Sequence, residues 1–357
     1  MPDPSLEQNR TTPDLKIKIE GQYLPLEVEI DVQNVTVSDY HNGASTFCLD
    51  ISIWDADQQE FKYIDEDVFA VGKKCEIMLG YDEEEITSII KGEITTWEPE
   101  FNESETATLK VQGYDSLHRF RRGRNIRTFT EMKDSDIAQQ IAGELSLQAQ
   151  VDNSEVTHAY LLQNNLTDID FLAERAGRIR YELFIEDGTL HFRKTANNED
   201  NVVTLEYGLS LRSFYPRLNS LSQVSEIIVQ GWDPINKQPI TGNARSGDEV
   251  SKMGGSQLGA GLTESAFFES QTVIVDNPIF NEGEANQIAK GKFNEMVVAF
   301  ISGEGTTIGN PDIRAGQVIK LLGLGERFSG LYYLTSVTHI LDSEGYVTKF
   351  TVERNAI

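Results

Sequence analysis

Two pairs of closely spaced carboxylates are the first residues of the sequence that could carry out catalysis. Asp134 and Asp136 form one pair, and Asp168 and Asp170 form the other. A glycoside hydrolase needs two carboxyl groups from separate elements, about 5–10 Å apart across a cleft. Both pairs instead stand where helices are predicted to begin, and carboxylates there cap free N–H groups and offset the helix dipole. We therefore interpret them as helix caps and expect no enzyme; no serine has the GxSxG spacing of a hydrolase nucleophile.

The histidines and cysteines do not have the spacing of a metal site. A zinc site needs three or four converging ligands, whereas the chain has no HxxxH pair and neither cysteine has a partner nearby in sequence. These residues are Cys48, Cys75, His41, His118, His158, His191 and His339. We interpret the histidines as surface or hydrogen-bonded residues, and the cysteines as buried, reduced thiols rather than a disulfide.

Glycines near residue 305 superficially suggest a phosphate-binding loop. Gly303 and Gly305 flank Glu304, and Gly309 follows. Such a loop comes after a strand and opens a helix, but here a predicted helix precedes the glycines and a strand follows them. We interpret them as turn glycines and predict no cofactor.

One basic cluster stands out in a chain of net charge -26, namely Arg119, Arg121, Arg122, Arg124 and Arg127. The arginines either form dispersed salt bridges with the chain's own acidic surface or form a docking patch for an acidic neighbouring protein. Arginine suits an interface because its planar guanidinium binds a carboxylate through two hydrogen bonds. Nucleic acid in a lumen is a weaker third hypothesis, because tracking phosphates needs a broader basic surface.

Length and charge exclude several other classes of protein. At roughly 150 residues per domain, 357 residues predict two or three domains. The negative charge disfavours nucleic acid and anionic membranes as partners. We identify no secretory signal and no apolar run near the ~20 residues that a membrane-spanning helix needs.

Short alternating apolar segments predict a β-rich fold. A hairpin is predicted over Leu15–Val32, and further strands over Phe47–Trp54, Cys75–Leu79, Ile86–Trp97, Ala107–Tyr114, Ser225–Trp232, Val318–Leu322, Gly330–Leu341 and Tyr346–Glu353. Helices are predicted near 136–145, near 168–177 and over Glu282–Ala299, with a hairpin turn at Asp187-Gly188.

These elements divide the chain into four parts. We predict a disordered lead-in over 1–13, a first barrel over 14–118, an α/β insertion over 119–196 and a second barrel over 197–357 with a long loop at 240–270. Strands near 197–235 are candidates for completing the first barrel. The predicted fold class is β-rich α+β, with two antiparallel β-barrels and a small α/β insertion.

Four short anchors recur in the same order and suggest an internal duplication. The pairs are Trp54-Asp55 with Trp232-Asp233, Ala70-Val71-Gly72 with Arg314-Ala315-Gly316, Lys91-Gly92 with Ser329-Gly330, and Ser104-Glu105 with Ser343-Glu344. The alternative is coincidence, because unrelated β-hairpins share glycine and β-branched residues. A true duplication predicts two similar barrels in one chain.

The same regions resemble a known family. The segments Gly305–Gly316, Phe328–His339, Arg124–Phe129 and Gln163–Glu174 resemble those of phage late control gene D proteins, which are similar to the hub half of VgrG spikes and to the baseplate hubs of contractile injection systems and myophage tails. The resemblance covers roughly residues 15–355, and its motifs are structural.

The resemblance implies a structural baseplate hub, with two barrels per chain that resemble the tube subunit. It implies a homotrimer that presents six barrels to a hexameric inner tube protein above and binds a trimeric spike protein below, among other baseplate proteins. VgrG spikes continue into an OB-type barrel and a β-helical needle, whereas this sequence ends at Ile357. We therefore expect a separate spike protein, or a longer parent chain. Assembly is expected in the bacterial cytoplasm, followed by residence in the particle.

Two other functions stay open as alternatives, a tail-associated cell-wall hydrolase and a glycan-binding tail-tip protein. Glycan binding predicts exposed aromatic platforms. Trp54, Trp97 and Trp232 lie in strand patterns and are predicted to be core residues, which disfavours that alternative.

Overall fold

The computed structural model describes residues 12–81, 86–102, 106–197, 203–234, 236–275 and 278–357. The predicted lead-in over 1–13 lies largely outside the described residues, and so does the Ser104-Glu105 anchor. The protein is β-rich, as predicted, and its strands pair mainly in antiparallel fashion within one large sheet and several small ones.

The first part of the chain is almost entirely β-structure. Its elements are β1 (Asp14–Ile19), β2 (Gln22–Tyr23), α1 (Leu26–Glu29), β3 (Val32–Tyr40), β4 (Thr46–Ser52), β5 (Trp54–Asp55), β6 (Glu60–Phe61), β7 (Lys74–Gly80), β8 (Thr87–Glu100) and β9 (Thr108–Asp115). The predicted Leu15–Val32 hairpin is wrong in its second strand, because the short helix α1 begins after Pro25 and occupies that segment. Strand β1 pairs with the short β2 across the predicted turn, and its other side pairs with β7, more than fifty residues later in the chain.

The middle part is the predicted α/β segment. A 3-10 helix (Ser116–Arg121) leads into β10 (Asn125–Lys133), α2 (Asp134–Glu144), β11 (Gln148–Val151), β12 (Thr157–Leu166), α3 (Asp168–Ile179), β13 (Tyr181–Glu186) and β14 (Thr189–Lys194). Both helices and the hairpin at Asp187-Gly188 are where the sequence places them. The helices pack on strands around a separate apolar core that includes Ile141, Phe171 and Phe192.

The last part contains a second group of strands and further helices, of which α5 is the longest. Its elements are β15 (Val203–Glu206), β16 (Leu211–Leu218), β17 (Glu226–Asp233), β18 (Gln238–Arg245), α4 (Gly259–Phe267), β19 (Gln271–Ile274), α5 (Glu282–Val298), β20 (Ile301–Ile308), β21 (Val318–Leu322), α6 (Gly325–Phe328), β22 (Gly330–Asp342) and β23 (Gly345–Arg354). The predicted loop at 240–270 is wrong in part, since it holds most of β18 and all of α4. Helix α5 packs against the three-stranded sheet β18-β17-β19.

Strand order reveals the internal repeat. The first set of strands is hydrogen-bonded in the order β1-β7-β8-β9-β4-β3, and the second in the order β15-β21-β22-β23-β20-β16. When the strands of each set are numbered along the chain, the two orders are the same, so each strand of the first set has a counterpart in the second. The irregularities match as well. The β3–β4 register shifts between Val32 and Asn34, and the β16–β20 register shifts between Leu211 and Ser213. The repeat differs at its outer strand, because β1 is antiparallel to β7 whereas β15 is parallel to β21.

The matched registers align the two sets residue by residue. The β8–β9 register shifts between Ile94 and Thr96, and the β22–β23 register shifts between Leu334 and Ser336. The predicted Trp54/Trp232 anchor is wrong: β4, which precedes Trp54, corresponds to β20, whereas Trp232 ends β17 in a different sheet. Strands β15 and β16 pair with β21 and β20, so they belong to the second set rather than completing the first.

Each set of strands surrounds its own apolar core. Ile17, Val37, Leu49, Ile77 and Leu109, from five different strands, belong to the first core. A second core contains residues of β20, β21, β22 and β23. The two sets are joined directly, because β3 pairs with β22 and makes one 13-stranded sheet. The domain boundaries at 14–118, 119–196 and 197–357 stay a prediction.

Candidate assembly surfaces

The arginine cluster is divided by the structure into internal and exposed members. Arg119 donates two hydrogen bonds to Glu93, from Nε at 3.1 Å and from Nη2. Arg127 donates to Asp168 at 2.6 Å and to the Gln163 side chain at 2.8 Å, and it also pairs with Glu144. These two arginines therefore satisfy the chain's own carboxylates.

The other three arginines are exposed; Arg121 ends the 3-10 helix, and Arg122 and Arg124 lie in the turn between that helix and β10. Arg124 donates to the backbone oxygen of Asn165 at 2.8 Å. The side chains of Arg121 and Arg122 make no hydrogen bond or ion pair with any described residue. A local surplus of positive charge on a strongly acidic chain is thus confined to Arg121, Arg122 and Arg124.

Strand β16 and the second half of β8 are among the sheet edges that have no partner strand on one side in the described residues. Strand β16 pairs with β20 on one side and ends the large sheet on the other. The second half of β8, from Thr96 to Glu100, pairs only with β9, because β7 reaches no further than Glu93. Each edge carries one proline, Pro216 in β16 and Pro99 in β8. Proline in a strand indicates an edge because it cannot donate a hydrogen bond to a neighbouring strand, so the two prolines are a signal of these edges in the sequence itself.

An exposed aromatic cluster lies beside the β8 edge. The ring of Phe61 contacts Trp54 and Phe101 edge-on, with both pairs of centroids 5.1 Å apart. Trp54 is 38% exposed and Phe101 is 57% exposed. The prediction of a core role is therefore wrong for Trp54 and also for Trp232, which is 59% exposed; the half-buried Trp97 packs against the first core. The misassigned tryptophans lie in a two-residue strand and at the end of a strand, where alternation does not determine burial.

A buried charge network connects the α/β part to helix α5. Asp134 accepts from Arg175 Nε at 2.6 Å and lies 3.3 Å from His158 Nε2. His158 also lies 3.7 Å from Glu284, which pairs with Arg178 at 3.1 Å. Burial alone would raise the pKa of the Asp134 carboxyl, but the hydrogen bond with His158 and the Arg175 guanidinium hold it below its usual range. Of the predicted helix caps, Asp136 accepts a hydrogen bond from the Lys133 N–H at the start of α2, and Thr167 caps α3. Asp134 instead belongs to this charge network.

A second junction joins the first set of strands to the loop before β21. Asp39 accepts from the backbone N–H of Ala315 at 3.0 Å and from the Ser45 hydroxyl at 2.8 Å. Arg314 donates to the backbone oxygens of two residues of β8. Nearby, the buried Asp115 accepts from the backbone N–H of Ser45 at 2.7 Å and of Leu117 at 2.8 Å. Polar contacts thus hold the two halves of the chain together beyond the β3–β22 pairing.

Asp115 predicts a measurable pH dependence of stability. Burial raises the pKa of its carboxyl to about 7, although its two backbone N–H partners act in the opposite direction. In an unfolded chain this pKa is about 4, so the stabilising contribution is fully present below pH ~4 and is lost as the pH rises through about 7. Between pH 5 and pH 8, we expect the free energy of unfolding to fall by about 2 kcal/mol more in the wild type than in Asp115→Asn. Urea unfolding at the two pH values measures this, and equal falls would contradict it.

The other predicted chemistry is accounted for by packing. Gly303 and Gly305 lie inside β20 rather than in a turn, and a Cβ on Gly305 would lie 2.3 Å from the Phe350 ring. Both cysteines are free thiols; Cys75 is buried, as predicted, whereas Cys48 is only half-buried. His339 is fully buried and hydrogen-bonds Tyr346 at 2.7 Å. Across the described ranges no three histidine, cysteine or acidic residues form a group that could hold a metal ion.

A hydrolase would need a cavity for its substrate, and a cavity of 420 Å³ lies between the α/β part and helix α5. Its lining carboxylates are engaged by lysines: Glu155 pairs with Lys194 at 3.1 Å, and Asp248 lies 3.7 Å from Lys290. A glycosidase pair needs one carboxyl that is free to donate a proton. Each of these two lining carboxylates has a lysine as its nearest charged partner. None of the helices in the described part of the chain is long and apolar enough to cross a membrane.

Comparison with known proteins identifies the family. A family model described as the Alg8 N-terminal domain matches residues 9–343. The chain belongs to the Alg8 N-terminal domain family. This description names neither a late control gene D protein nor a VgrG hub, so that more specific resemblance stays a prediction. A search of curated proteins found no match for this member of the Alg8 N-terminal domain family.

Solved structures similar to this Alg8 N-terminal domain family member come from phage tails and a secretion system. A 43 kDa tail protein of prophage MuSo2 from Shewanella oneidensis has a TM-score of 0.71 at 12% identity, covering 96% of this chain and 98% of that one. A tail protein from Neisseria meningitidis has a TM-score of 0.69 at 12% identity, with coverages of 96% and 97%. The E. coli c3393 protein, a type VI secretion component described as similar to the T4 tail proteins gp27 and gp5, has a TM-score of 0.63 at 12% identity, with coverages of 96% and 77%. At 12% identity, these structural similarities show a shared fold alone.

Proposed function

We propose that this protein is a non-enzymatic structural hub of a contractile tail or injection-system baseplate. Three copies form a ring that presents six similar β-units to a hexameric inner tube protein and three equivalent surfaces to a spike protein. The protein assembles in the bacterial cytoplasm and then resides in the particle. The fold that it shares with tail proteins and a type VI secretion component supports this role.

The repeated strand order is the observation that carries the proposal. A trimer can match a sixfold partner only if each chain supplies two equivalent units. The two sets of strands have the same order and matching bulges, and they lie side by side through the β3–β22 pairing. The unpartnered edges at β16 and β8 also favour assembly, because a closed ring covers the edges that an isolated chain leaves exposed.

We infer that Arg121, Arg122 and Arg124 contact an acidic neighbour, either the tube or the spike protein. They are the exposed members of the basic cluster, whereas Arg119 and Arg127 are engaged within the chain. Charges at the rim of an interface act mainly on the association rate and its salt dependence. A triple Arg→Glu variant at these positions is therefore expected to weaken recovery of the co-expressed tube or spike protein while leaving self-association intact.

Size-exclusion chromatography with light scattering tests the hub directly. Three chains of 40.0 kDa predict a particle of about 120 kDa. Co-expression with tube and spike proteins from neighbouring genes is expected to yield a complex whose stability falls as salt rises. A chain that remains a monomer at every concentration and recovers neither partner would overturn the proposal.

The exposed aromatic cluster keeps one alternative open, a glycan-binding tail-tip protein. Trp54, Phe61 and Phe101 present neighbouring rings at the surface. Aromatic faces of this kind also serve protein interfaces. If the wild type binds a glycan array and Trp54→Ala does not, the glycan alternative is favoured. If Trp54→Ala leaves the array signal of the wild type unchanged but abolishes self-association, the hub is favoured.

A further inference from the structure

The joint between the two halves of the chain provides a template for a joint between chains. Strand β3 pairs with the second half of β22, from Val35 opposite Leu341 to Tyr40 opposite Ser336. In the repeat, β22 corresponds to β8, and β3 corresponds to β16. The internal joint therefore joins one unit's β3-type strand to the other unit's β8-type strand.

The counterparts of these two strand segments are both free edges of the large sheet, which also has edge strands at β2 and β15. Matching the β3–β4 and β16–β20 registers aligns Val35–Tyr40 with Phe214–Asn219. Matching the β8–β9 and β22–β23 registers aligns Ser336–Leu341 with Thr96–Phe101. Within one chain, these two edges lie at opposite ends of the β16-to-β8 path and have no partner in the described residues.

Side chains at the β3–β22 joint are buried, whereas their counterparts at the free edges of β16 and β8 are more exposed. At the internal joint, Val37 and His339 stand opposite each other and are both 0% exposed. Their counterparts are Pro216, which is half-buried, and Pro99, which is exposed. Leu341 is half-buried, whereas its counterpart Phe101 is 57% exposed. Residues that occupy equivalent places are thus covered at one joint and open to solvent at the other.

The charges on the two edges are complementary in this alignment. Ser38 and Thr338 form a cross-strand hydrogen bond of 3.3 Å at the internal joint. Their counterparts are Arg217 on β16 and Glu98 on β8, which carry opposite charges. Glu98 is in register with Lys110 of β9, whose ammonium pairs with Glu100 at 2.7 Å, so Arg217 from a second chain would bring a positive charge to Glu98. Opposite charges on directly facing residues stabilise neighbouring strands.

We propose that the β16 edge of one chain docks against the Thr96–Phe101 edge of a second copy, in the register of the β3–β22 joint. Glu98 then faces Arg217, Glu100 faces Tyr215 and Phe101 faces Phe214. This inference rests on the proposed ring, and it specifies the residues through which neighbouring copies meet. The exposed Phe61, whose ring contacts both Phe101 and Trp54, lies at the margin of the contact.

The prolines explain how the edges avoid indiscriminate pairing. The Asn219 N–H is directed at β20, since it donates to Phe300 at 2.9 Å. N–H groups of alternate residues in a strand point to opposite sides, so Pro216 directs its nitrogen, which has no hydrogen, at the free side. Pro99 stands opposite Pro216 in the proposed register. The middle of the ladder thus lacks donors, and side chains such as Glu98 and Arg217 must select the partner.

Cysteine cross-linking tests the register in the full-length chain. In a non-hydrogen-bonded pair of an antiparallel ladder, the two Cα atoms are about 4.5 Å apart, which is within reach of a disulfide. Ser38 and Thr338 form such a pair, so a Glu98→Cys, Arg217→Cys chain with Cys48→Ser is expected to form disulfide-linked oligomers on mild oxidation. Glu98→Cys with Tyr215→Cys is the matched control, because diagonal Cα atoms lie about 7–8 Å apart. Ser38→Cys with Thr338→Cys should cross-link only within a chain.

The outcomes separate this inference from the proposed ring. Covalent oligomers from the 98/217 pair, in at least tenfold excess over the 98/215 pair, would support the register. A stable trimer by light scattering in which the 98/215 pair cross-links better, or neither pair does, would overturn the register and leave the hub in place. A monomer that cross-links in neither variant would overturn both.

Discussion

Replacing Arg175 with methionine is expected to lower the free energy of unfolding by about 3–5 kcal/mol. The guanidinium is buried and pairs with Asp134, whose carboxylate is itself only 1% exposed. Methionine fills much of the same space but cannot neutralise that carboxylate. Urea unfolding monitored by circular dichroism measures the loss, which arises from leaving a buried charge without its partner.

Two variants control for this interpretation. Lys292→Ala removes an exposed ion pair with Glu295 and is expected to cost less than about 1 kcal/mol. Asp134→Asn combined with Arg175→Met removes both charges and is expected to recover part of the loss, because no uncompensated charge remains. A loss below 1 kcal/mol for Arg175→Met alone would show that the network does not hold the α/β part in place.

Substituting Gly242 with alanine is expected to destabilise the protein by about 3 kcal/mol. Gly242 lies on β18, and a Cβ there would come within 2.2 Å of the backbone carbon of Ala285 and 2.3 Å of the backbone nitrogen of Asn286. Both atoms belong to the main chain of helix α5, so relief requires the helix to shift from the sheet. Thermal unfolding measures the effect as a lower midpoint temperature.

Gly143 provides the matched control for the same chemical change. It lies near the end of helix α2 with nothing within 4 Å of a Cβ, so Gly143→Ala is expected to stabilise the protein by about 0.5 kcal/mol. Opposite signs for the two substitutions are the expected result. A neutral Gly242→Ala would mean that α5 does not pack on β18 at this distance.

The sequence predicts the local elements well and the long-range pairings poorly. Helices near Asp134 and Asp168 and the hairpin at Asp187-Gly188 follow from caps, periodicity and turn chemistry, which act within a few residues. Strand β20 escapes a pattern-based prediction because Gly303 and Gly305 occupy strand positions covered by aromatic rings from other strands. No local pattern records that coverage.

The internal repeat was also predicted from local patterns only in part. Anchors at turns, such as Gly72 with Gly316, survive because a turn fixes its own residues, and both glycines have a positive φ. The Trp54/Trp232 pairing failed because a tryptophan followed by an aspartate at a strand end is common to unrelated strands. The counterpart of β4 is recognised only from the strand order, which joins residues hundreds of positions apart in the sequence.

The candidate surface was predicted in part. Charge count locates the arginine cluster, but only the folded geometry distinguishes Arg119, held by Glu93, from the exposed Arg121. The free edges depend on which strands lie at the ends of the sheet, a property of the whole topology. Pro99 and Pro216 were nevertheless visible signals, since proline inside a strand pattern favours an edge.

Electron microscopy of the purified, assembled chain would test the central claim most directly. Class averages viewed down the particle axis should show a threefold ring containing six similar densities, with two from each chain alternating around one axis. A particle of any other symmetry, or a ring in which one unit of each chain lies away from the common axis, would contradict the hub.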